Sequence, residues 1–331
     1  MTNTNIPAPQ QFLMMATSKM VTKPMYVAAK LRIADHISDG IKSTKELAKK
    51  TKTDERSLYR LMRALSSVGV FEEMEDQNFD LTPLAECMLD RPGTPRGMLM
   101  WFNDPIHDYA WENLLHSIQT GKPAFDKKFN MPIFNYFADN KEISETFNTA
   151  MTSNSLVVHS LIAKTLDTKN IKTIFDIGGG HGHLMTNMMK ENTNLKGGVF
   201  DLPHVVKGAT TESEIPYENY GGDFSKEVPK GADALTLSFI IHDWDDEKSL
   251  TILKNCFNAL EKGGKIFICE NVIEGRNQPS LGKLLDIEML AMTSGQERTE
   301  IEFKSLLEKA GFTYSGVTHT QGPVSILEAI K

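Results

Sequence analysis

The sequence predicts an α/β fold in which a mostly parallel sheet, with helices on both faces, follows a mostly helical N-terminal part. Strands and helices alternate from Ile171 to the C-terminus, the pattern of a sheet covered on both sides. Within it, residues 174–184 form an apolar strand ending in an acid, a glycine-rich turn and a helix start. Earlier in the chain, residues 43–81 show two helices and a small hairpin, a winged-helix pattern.

Composition places the chain among ordinary globular proteins. With 331 residues it is long for one hydrophobic core, so we expect more than one domain. The formal charge of −7 argues against dependence on a polyanion such as bulk nucleic acid. The three cysteines have no metal-ligand spacing, and no apolar run approaches the roughly 18 residues of a membrane span. We therefore expect a cytoplasmic protein with no nucleic-acid or membrane partner.

The N-terminal part is expected to be helical apart from the hairpin. Helical periodicity covers residues 11–37 in two pieces, and Pro24 suits the first turn of the second piece. Ser43 opens a capping-box pattern, and a longer helix is predicted over residues 55–68. Residues 71–81 then alternate as a hairpin.

The winged-helix pattern leaves two functions open. Its second helix carries Arg56, Arg60 and Arg63 on roughly one face, as DNA-recognition helices do. Winged helices also serve as dimerisation domains. The chain is acidic overall, and most of its residues lie outside the winged-helix pattern. DNA binding by a regulator is therefore the less favoured hypothesis.

Residues 84–165 are predicted to be helical and are rich in aromatic side chains. An aromatic stripe is more often core than ligand pocket, but this segment leads directly into the α/β part, so some of it is expected to line a substrate cavity. We place the boundaries at residues 1–100 for the winged-helix domain, 101–165 for the helical linker and cavity segment, and 166–331 for the α/β domain. The candidates for contact with a substrate are apolar: Trp101, Phe147, Met151, Met289 and Met292.

The α/β part is predicted to contain parallel strands followed by an antiparallel pair at the sheet edge. The fourth strand is expected over residues 234–241, and the antiparallel pair over 312–319 and 325–330. Ligands of such sheets bind beyond the carboxyl ends of the strands. Polar residues that the sequence places at these ends are Asp176, Asp201, Asp223, His242 and Glu270.

The glycine-rich turn indicates a nucleotide-type cofactor. Gly178, Gly180 and Gly182 have no Cβ, so the backbone can bend sharply and lie against a ligand at the start of a helix. The dinucleotide pattern would require a third glycine at position 183, which is a histidine. Asp201, at the end of the second strand, can accept both hydroxyls of a ribose. Together these signals favour an adenosine cofactor.

His242 is the candidate for chemistry. The acids that follow it, Asp245 and Asp246, are explained by the preference of acids for the first turn of a helix. His242 itself lies where an apolar strand opens into the expected crevice. No second histidine has ligand spacing relative to it, so we predict no metal site.

Taken in order, these motifs resemble those of the small-molecule O-methyltransferases of the caffeate and hydroxyindole type, bacterial branch. The resemblance runs from about Gln11 to the C-terminus. It implies a class I methyltransferase domain with a Rossmann-like sheet and an antiparallel last strand, preceded by a winged-helix dimerisation domain, and hence a homodimer. The segments that carry it are 176–182, 200–203, 221–224, 242–247 and Gly295-Gln296-Glu297-Arg298-Thr299.

The resemblance also implies site roles. The cofactor would be S-adenosyl-L-methionine and the product S-adenosyl-L-homocysteine, with Asp223 and Phe224 beside the adenine. His242 would be the general base, bracketed by Glu270 and Glu297. Ser238 departs from the pattern, since plant members often carry a lysine four residues before the histidine. The cofactor-binding candidates are Asp176, Gly178, Gly180, Gly182, Asp201, Leu202, Asp223, Phe224 and Ser238.

We therefore expect methyl transfer to a hydroxyl of an aromatic metabolite, such as a phenol, polyketide or anthraquinone. A phenol of pKa ~10 is ionised about once in a thousand molecules at pH 7. A positioned imidazole can remove its proton, which is worth roughly 10²–10⁴ in rate. An N-methyltransferase, or a relative that keeps the cofactor and runs another reaction, remains the alternative. His242 favours oxygen because a neutral amine needs a base less.

Overall fold

The structure is a computed structural model that describes residues 6–208 and 217–331. The described residues divide into two compact units. One unit contains the residues up to 109 together with 136–154, and the other contains 110–135 together with 155–331. Among the described residues, every helix is too short or too polar to cross a membrane.

Where the structure describes it, the N-terminal half is helical except for one hairpin, as the sequence predicts. The two strands of the hairpin pair antiparallel, with Phe71 opposite Leu81. The elements before and within the hairpin are α1 Ala8–Ala16, α2 Lys19–Lys30, α3 Ile33–Ser38, α4 Thr44–Thr51, α5 Glu55–Ser66, β1 Phe71–Glu73 and β2 Phe79–Leu81. The helices that follow are α6 Pro83–Glu86, α7 Arg96–Phe102, α8 Pro105–Trp111, α9 Leu114–Thr120, α10 Ala124–Phe129, α11 Ile133–Asp139 and α12 Lys141–Thr165.

Local signals fix the winged-helix pattern. The hydroxyl of Ser43 accepts the Glu46 N–H at the start of α4, and the Asp54 carboxylate accepts the Ser57 N–H at the start of α5. The core beneath these helices contains the fully buried side chains of Leu47, Met62, Leu65, Phe71 and Phe79.

The prediction for Pro24 is wrong. Pro24 lies in the second turn of α2, and the break between the first two helices falls instead at Thr17 and Ser18. A proline here removes one backbone hydrogen bond from the helix. Buried Tyr26, Ala28 and Ala29 hold α2 against the core, and this packing outweighs the local cost.

The second unit is built on a mostly parallel sheet. The strands of this sheet are β3 Thr173–Ile177, β4 Lys196–Asp201, β5 Glu218–Gly221, β6 Ala234–Ser238, β7 Lys265–Glu270, β10 Thr313–His319 and β11 Ser325–Ile330. Among the described residues the strand order is β10-β11-β7-β6-β3-β4-β5, with β10 and β11 antiparallel as predicted. The helices between them are α13 His183–Glu191, α14 Pro203–Gly208, α15 Asp246–Ala259, α16 Leu281–Met292 and α17 Glu300–Ala310.

Apolar side chains alternate between the two faces of the sheet. Phe175 and Leu235 pack on the face covered by α15 and α17, whereas Ile174 and Phe267 pack on the face covered by α13 and the end of α12. Both faces are therefore largely apolar, and the candidate polar groups gather at the carboxyl ends of the strands.

Two features near the strand ends differ from the prediction or were not foreseen. Strand β6 ends at Ser238 rather than at residue 241, and residues 241–243 form a 3₁₀ turn. A short parallel pair, β8 Val272–Ile273 and β9 Arg298–Thr299, was not predicted. Because β8 starts two residues after Glu270 and β9 directly follows Glu297, this pair brings the two glutamates together.

Candidate active site

The glycine loop between β3 and α13 has the backbone that only glycine adopts easily. Gly178, Gly180 and Gly182 have φ angles of 72°, 57° and 77°. A Cβ at Gly178 would collide with Ile240, and one at Gly182 would collide with the Tyr217 hydroxyl. A Cβ at Gly180 would meet nothing within 4 Å, so this side of the loop is open to a ligand.

Asp201 ties the glycine loop to the end of β4. Its Oδ2 accepts the Gly180 N–H at 2.9 Å, and its Oδ1 accepts the Leu202 N–H at 2.7 Å. Each oxygen keeps a further lone pair for a ligand hydroxyl. Leu202, the neighbouring candidate, is exposed. This arrangement fits the ribose of an adenosine cofactor.

Asp176 lies beneath the loop. It is buried, its Oδ1 accepts the Thr236 hydroxyl at 2.9 Å, and its carboxyl group lies directly under Gly179. Burial raises the pKa of Asp176 to about 7. Its contacts are with the loop and the sheet.

Asp223 and Phe224 follow β5. The Asp223 carboxylate accepts the N–H and hydroxyl of Ser225 and lies 3.2 Å from Lys226, and the hydrogen bonds from Ser225 are the main cause of its lowered pKa. The Phe224 ring lies beside the glycine loop, 3.5 Å from where a Cβ of Gly178 would stand. The structure therefore brings Phe224 to the predicted cofactor site.

Strand β6 ends at Ser238. Beside it lies His159, which the sequence analysis did not identify. The Ser238 hydroxyl lies 3.4 Å from Nε2 of His159, a buried residue of α12. Burial lowers the pKa of His159 to about 4, so this imidazole is neutral at pH 7. His159 lies in a helix without a recognisable motif, so the sequence offers no signal for it.

The turn that carries His242 is held by Glu270. One carboxylate oxygen, Oε1, accepts the backbone N–H groups of Ile240, Ile241 and His242 at 3.0, 2.9 and 3.3 Å. Glu270 is fully buried. It therefore acts on the backbone of the turn, and its other oxygen lies 3.8 Å from the His242 ring.

Glu297 contacts the His242 ring directly. Nδ1 of His242 and Oε1 of Glu297 lie 2.9 Å apart. Because a carboxylate only accepts hydrogen bonds, Nδ1 carries the hydrogen and donates a hydrogen bond to Oε1. Nε2 is thereby left with its lone pair when the ring is neutral. The nearest acid to Nε2 is Asp243, at 3.6 Å, which the sequence analysis did not single out.

Acids surround this histidine and change its proton affinity. Burial alone would lower the pKa of His242, but the charges of Glu270, Asp243 and Glu297 outweigh burial and raise it to about 10. Burial and the like charges of Glu297 and Asp243 also raise the pKa of Glu270. The cluster stabilises a proton on the imidazole.

The segment 295–298 packs onto the same turn. A Cβ at Gly295 would collide with the His242 carbonyl, and the Gln296 N–H donates to that carbonyl at 2.8 Å. Thr299 then caps α17 with a complete capping box formed with Glu302. In the described residues, ligand-type atoms of His242, Glu270 and Glu297 lie within 4.8 Å of one another, a spacing that could also hold a metal ion.

The predicted substrate contacts fall in both units. In the first unit, Trp101 is buried and its ring centroid lies 5.1 Å from that of half-buried Phe147, in an aromatic cluster with Phe137. Met151 is half-buried on α12. In the second unit, Met292 is buried on α16 and Met289 is half-buried there.

A glycine loop, an acid at the end of β4 and a histidine held by carboxylates lie at the carboxyl ends of the strands, as expected for a transferase with an adenosine cofactor. The chain matches two family models. Residues 111–313 match the O-methyltransferase domain, and residues 13–91 match the O-methyltransferase dimerisation domain. The chain belongs to this O-methyltransferase family and is an S-adenosyl-L-methionine-dependent methyltransferase. The second match favours dimerisation over DNA binding for the winged-helix segment.

Relatives and solved structures agree with the family along nearly the whole chain. The chain is 38% identical to the phenazine O-methyltransferase of Lysobacter antibioticus, over 98% of this chain and 96% of that protein. The crystal structure of LaPhzM superposes with a TM-score of 0.92 at 37% identity, covering 98% of this chain and 99% of that one. An O-methyltransferase of neocarzinostatin biosynthesis, solved with S-adenosylmethionine and 2-hydroxy-5-methyl naphthoic acid, superposes with a TM-score of 0.77 at 29% identity, covering 93% and 95%.

Other relatives carry different activities in their names. An 8-amino-8-demethylriboflavin N,N-dimethyltransferase of Streptomyces davaonensis is 29% identical over 91% of this chain and 88% of that protein. An aclacinomycin 10-hydroxylase of Streptomyces purpurascens is 30% identical over 91% and 85%. Similarity to this family therefore does not by itself fix the acceptor atom.

Proposed function

We propose that this enzyme methylates a hydroxyl group of an aromatic small molecule, with His242 as the general base. The observation that carries the proposal is the 2.9 Å contact of His242 Nδ1 with Glu297 Oε1. This contact fixes the tautomer, so the lone pair of the neutral ring is on Nε2. A base of this kind is what a hydroxyl nucleophile needs.

In the reaction, Nε2 of His242 would take the proton of the acceptor O–H group and so leave an oxygen nucleophile. When bound, S-adenosyl-L-methionine would supply the methyl group as a sulfonium, with S-adenosyl-L-homocysteine as the product. Glu297 then stabilises the imidazolium. The acids around His242, which raise its pKa in the free protein to about 10, also favour the imidazolium that this proton transfer forms.

The raised pKa of His242 also opposes its action as a base. In the free enzyme at pH 7 the ring is mostly protonated, and it must lose that proton before it can act as a base. A cationic cofactor bound at the carboxyl ends of the same strands would disfavour the imidazolium and lower the pKa of His242. We therefore expect turnover to rise with pH until His242 is neutral.

We assign the cofactor to the glycine loop and the strand ends beside it. Gly180 supplies the open side of the loop, Asp201 the acceptor for the ribose hydroxyls, and Phe224 the apolar contact for the adenine. Asp176 supports the loop from below. Ser238 and His159 offer neutral polar groups at the end of β6.

Aromatic acceptors are favoured by the relatives, among them the phenazine O-methyltransferase. An amine acceptor is the second candidate, because the N,N-dimethyltransferase relative shows that this family includes such an activity by name. The histidine–carboxylate cluster favours the hydroxyl, since a neutral amine attacks without prior loss of a proton. The dimerisation-domain match supports a homodimer.

The test is product analysis with matched acceptors. The enzyme and deuteromethyl-labelled cofactor are incubated with phenols, anthraquinones, flavonoids and indoles, each beside its amino analogue and its methyl ether. Mass spectrometry should find one labelled methyl on a hydroxyl acceptor and none on its ether. Labelling of amino analogues alone would make the N-methyltransferase the correct assignment.

A further inference from the structure

Arg298 is a buried cation that none of the roles above uses. It has no exposed surface, and its guanidinium donates to backbone carbonyls on the turn that carries His242. Nη1 reaches the Ile241 carbonyl at 3.0 Å, and Nη2 reaches the Trp244 carbonyl at 2.8 Å. These carbonyls lie just before His242 and two residues after it.

The carboxylate that pairs with Arg298 belongs to Asp246 and not to the glutamates beside His242. Oδ1 of Asp246 accepts Nη2 at 2.8 Å and Nε at 3.1 Å, and the Asp246 side chain is 66% exposed. A buried guanidinium without such a partner would be strongly unfavourable. Because Asp246 is its partner, Glu270 and Glu297 remain available to the imidazole.

Two residues thus hold the turn, one through its N–H groups and the other through its carbonyl groups. Glu270 accepts its N–H groups, and Arg298 donates to its carbonyls. Arg298 also follows Glu297 directly in the chain, so the residue that orients the ring and the residue that fixes the turn share one short segment. Any shift of the turn relative to this segment would change the contact between His242 and Glu297.

We infer that Arg298 is a positioning residue for His242, which fixes the turn so that the imidazole stays on Glu297 and presents Nε2 to the acceptor. This inference rests on the proposed function. Lysine cannot replace arginine here, because a single ammonium group cannot reach two carbonyls and a carboxylate in the geometry of the planar guanidinium fork.

The variants are Arg298→Lys and Asp246→Asn. The second removes the charge of the exposed partner but leaves an amide oxygen that can still accept from Arg298, and it opens no cavity. It is therefore the milder change and covers the case in which Arg298→Lys does not fold. Asp245→Asn is the matched control: Asp245 caps α15 by accepting the Lys248 N–H, and asparagine caps equally well. It makes the same chemical change one residue away.

Two readouts separate positioning from general damage. Turnover should fall about 10²-fold in Arg298→Lys and about tenfold in Asp246→Asn, with acceptor KM and cofactor affinity within about threefold of wild type. Asp245→Asn should stay within about twofold. The ¹⁵N resonances of the His242 ring, identified by their absence in His242→Gln, should move in the first two variants and stay in place in the control.

Wild-type turnover and unmoved ring resonances in Asp246→Asn would overturn the inference, as would an equal loss in Asp245→Asn. The ring resonances need no acceptor and are measured in the free protein. Failure of the enzyme to methylate any hydroxyl acceptor would therefore refute the proposed function while leaving the role of Arg298 to be decided by the resonances.

Discussion

Glu270 and Glu297 both lie beside His242, but they act on different parts of it. Glu297 bonds to the ring, whereas Glu270 bonds to three N–H groups of the turn. The motifs alone place both acids symmetrically around the histidine. The difference depends on the register of β7 against β6 and on the pairing of β8 with β9, which no local pattern encodes.

The pH dependence of Glu297→Gln tests the charge of this cluster. The base must be neutral, and the carboxylates raise the pKa of His242, so removing one charge should lower that pKa. The rising limb of acceptor kcat/KM, measured at saturating cofactor, should move to lower pH. The plateau should fall about tenfold, because the amide oxygen still accepts from Nδ1 but no longer stabilises an imidazolium.

Glu270→Gln provides the comparison. It also removes a charge, yet its amide oxygen can still accept the three N–H groups, so the limb should move while the turn keeps its shape. If the rising limb of kcat/KM stays at the same pH in both variants, the electrostatic part of the mechanism is contradicted.

Asp201→Ala tests the cofactor assignment. The variant loses the charged acceptor at the end of β4 and the bond to Gly180, so S-adenosyl-L-methionine should bind about 10- to 10²-fold more weakly, or about 1.5–3 kcal/mol. Calorimetry measures this directly. Unchanged affinity in a folded variant would remove Asp201 from the ribose site.

At the scale of elements, the segment 295–299 packs directly on the turn that carries His242. Gly295 has no room for a side chain, since a Cβ would meet the His242 carbonyl. Gly295→Ala should therefore push the segment off the turn and lower turnover about 10²-fold, with little effect on cofactor affinity. Steady-state kinetics and calorimetry provide the two readouts.

Gly275→Ala is the matched control for this variant. Gly275 lies in an exposed loop where a Cβ would meet nothing within 4 Å, so the same methyl group should cost little. Comparable losses in the two variants would show that turnover responds to any added methyl group and not to the contact with His242.

Strands that are buried on both faces are nearly continuous apolar runs, so the strand at Ala234–Ser238, in which only Thr236 and Ser238 are polar, could be predicted from the sequence. The 3₁₀ turn after Ser238 could not, because Glu270 imposes it through distant hydrogen bonds. The prediction for Pro24 was wrong for a related reason, because the packing of α2 against the core outweighs the preference of proline for the first turn of a helix. Arg298 stood inside a recognised motif, but its target carbonyls lie more than fifty residues earlier in the chain.

At the scale of the whole molecule, we predict a homodimer with an interface above ~2,000 Å². The residues 13–91 match a dimerisation domain, and α1 leaves Phe12 and Met15 73% and 77% exposed. Light scattering at micromolar concentration should give the mass of two chains. Met15→Glu should weaken the dimer, whereas Ile301→Glu, at a residue of α17 that is 79% exposed, should not. A monomeric wild-type protein would contradict this prediction.

The central claim is that His242 removes a proton from an aromatic hydroxyl, and it is tested by the turnover of His242→Ala on two acceptors over a range of pH. One acceptor is an ordinary phenol of pKa ~10, and the other is an acidified phenol of the same shape that is already ionised at neutral pH. On the ordinary phenol the variant should lose about 10²–10⁴ in rate at pH 7 and recover as the pH approaches 10. On the acidified phenol it should keep much of the wild-type rate at every pH. Equal losses on both phenols at every pH would show that His242 shapes the site without acting as a base.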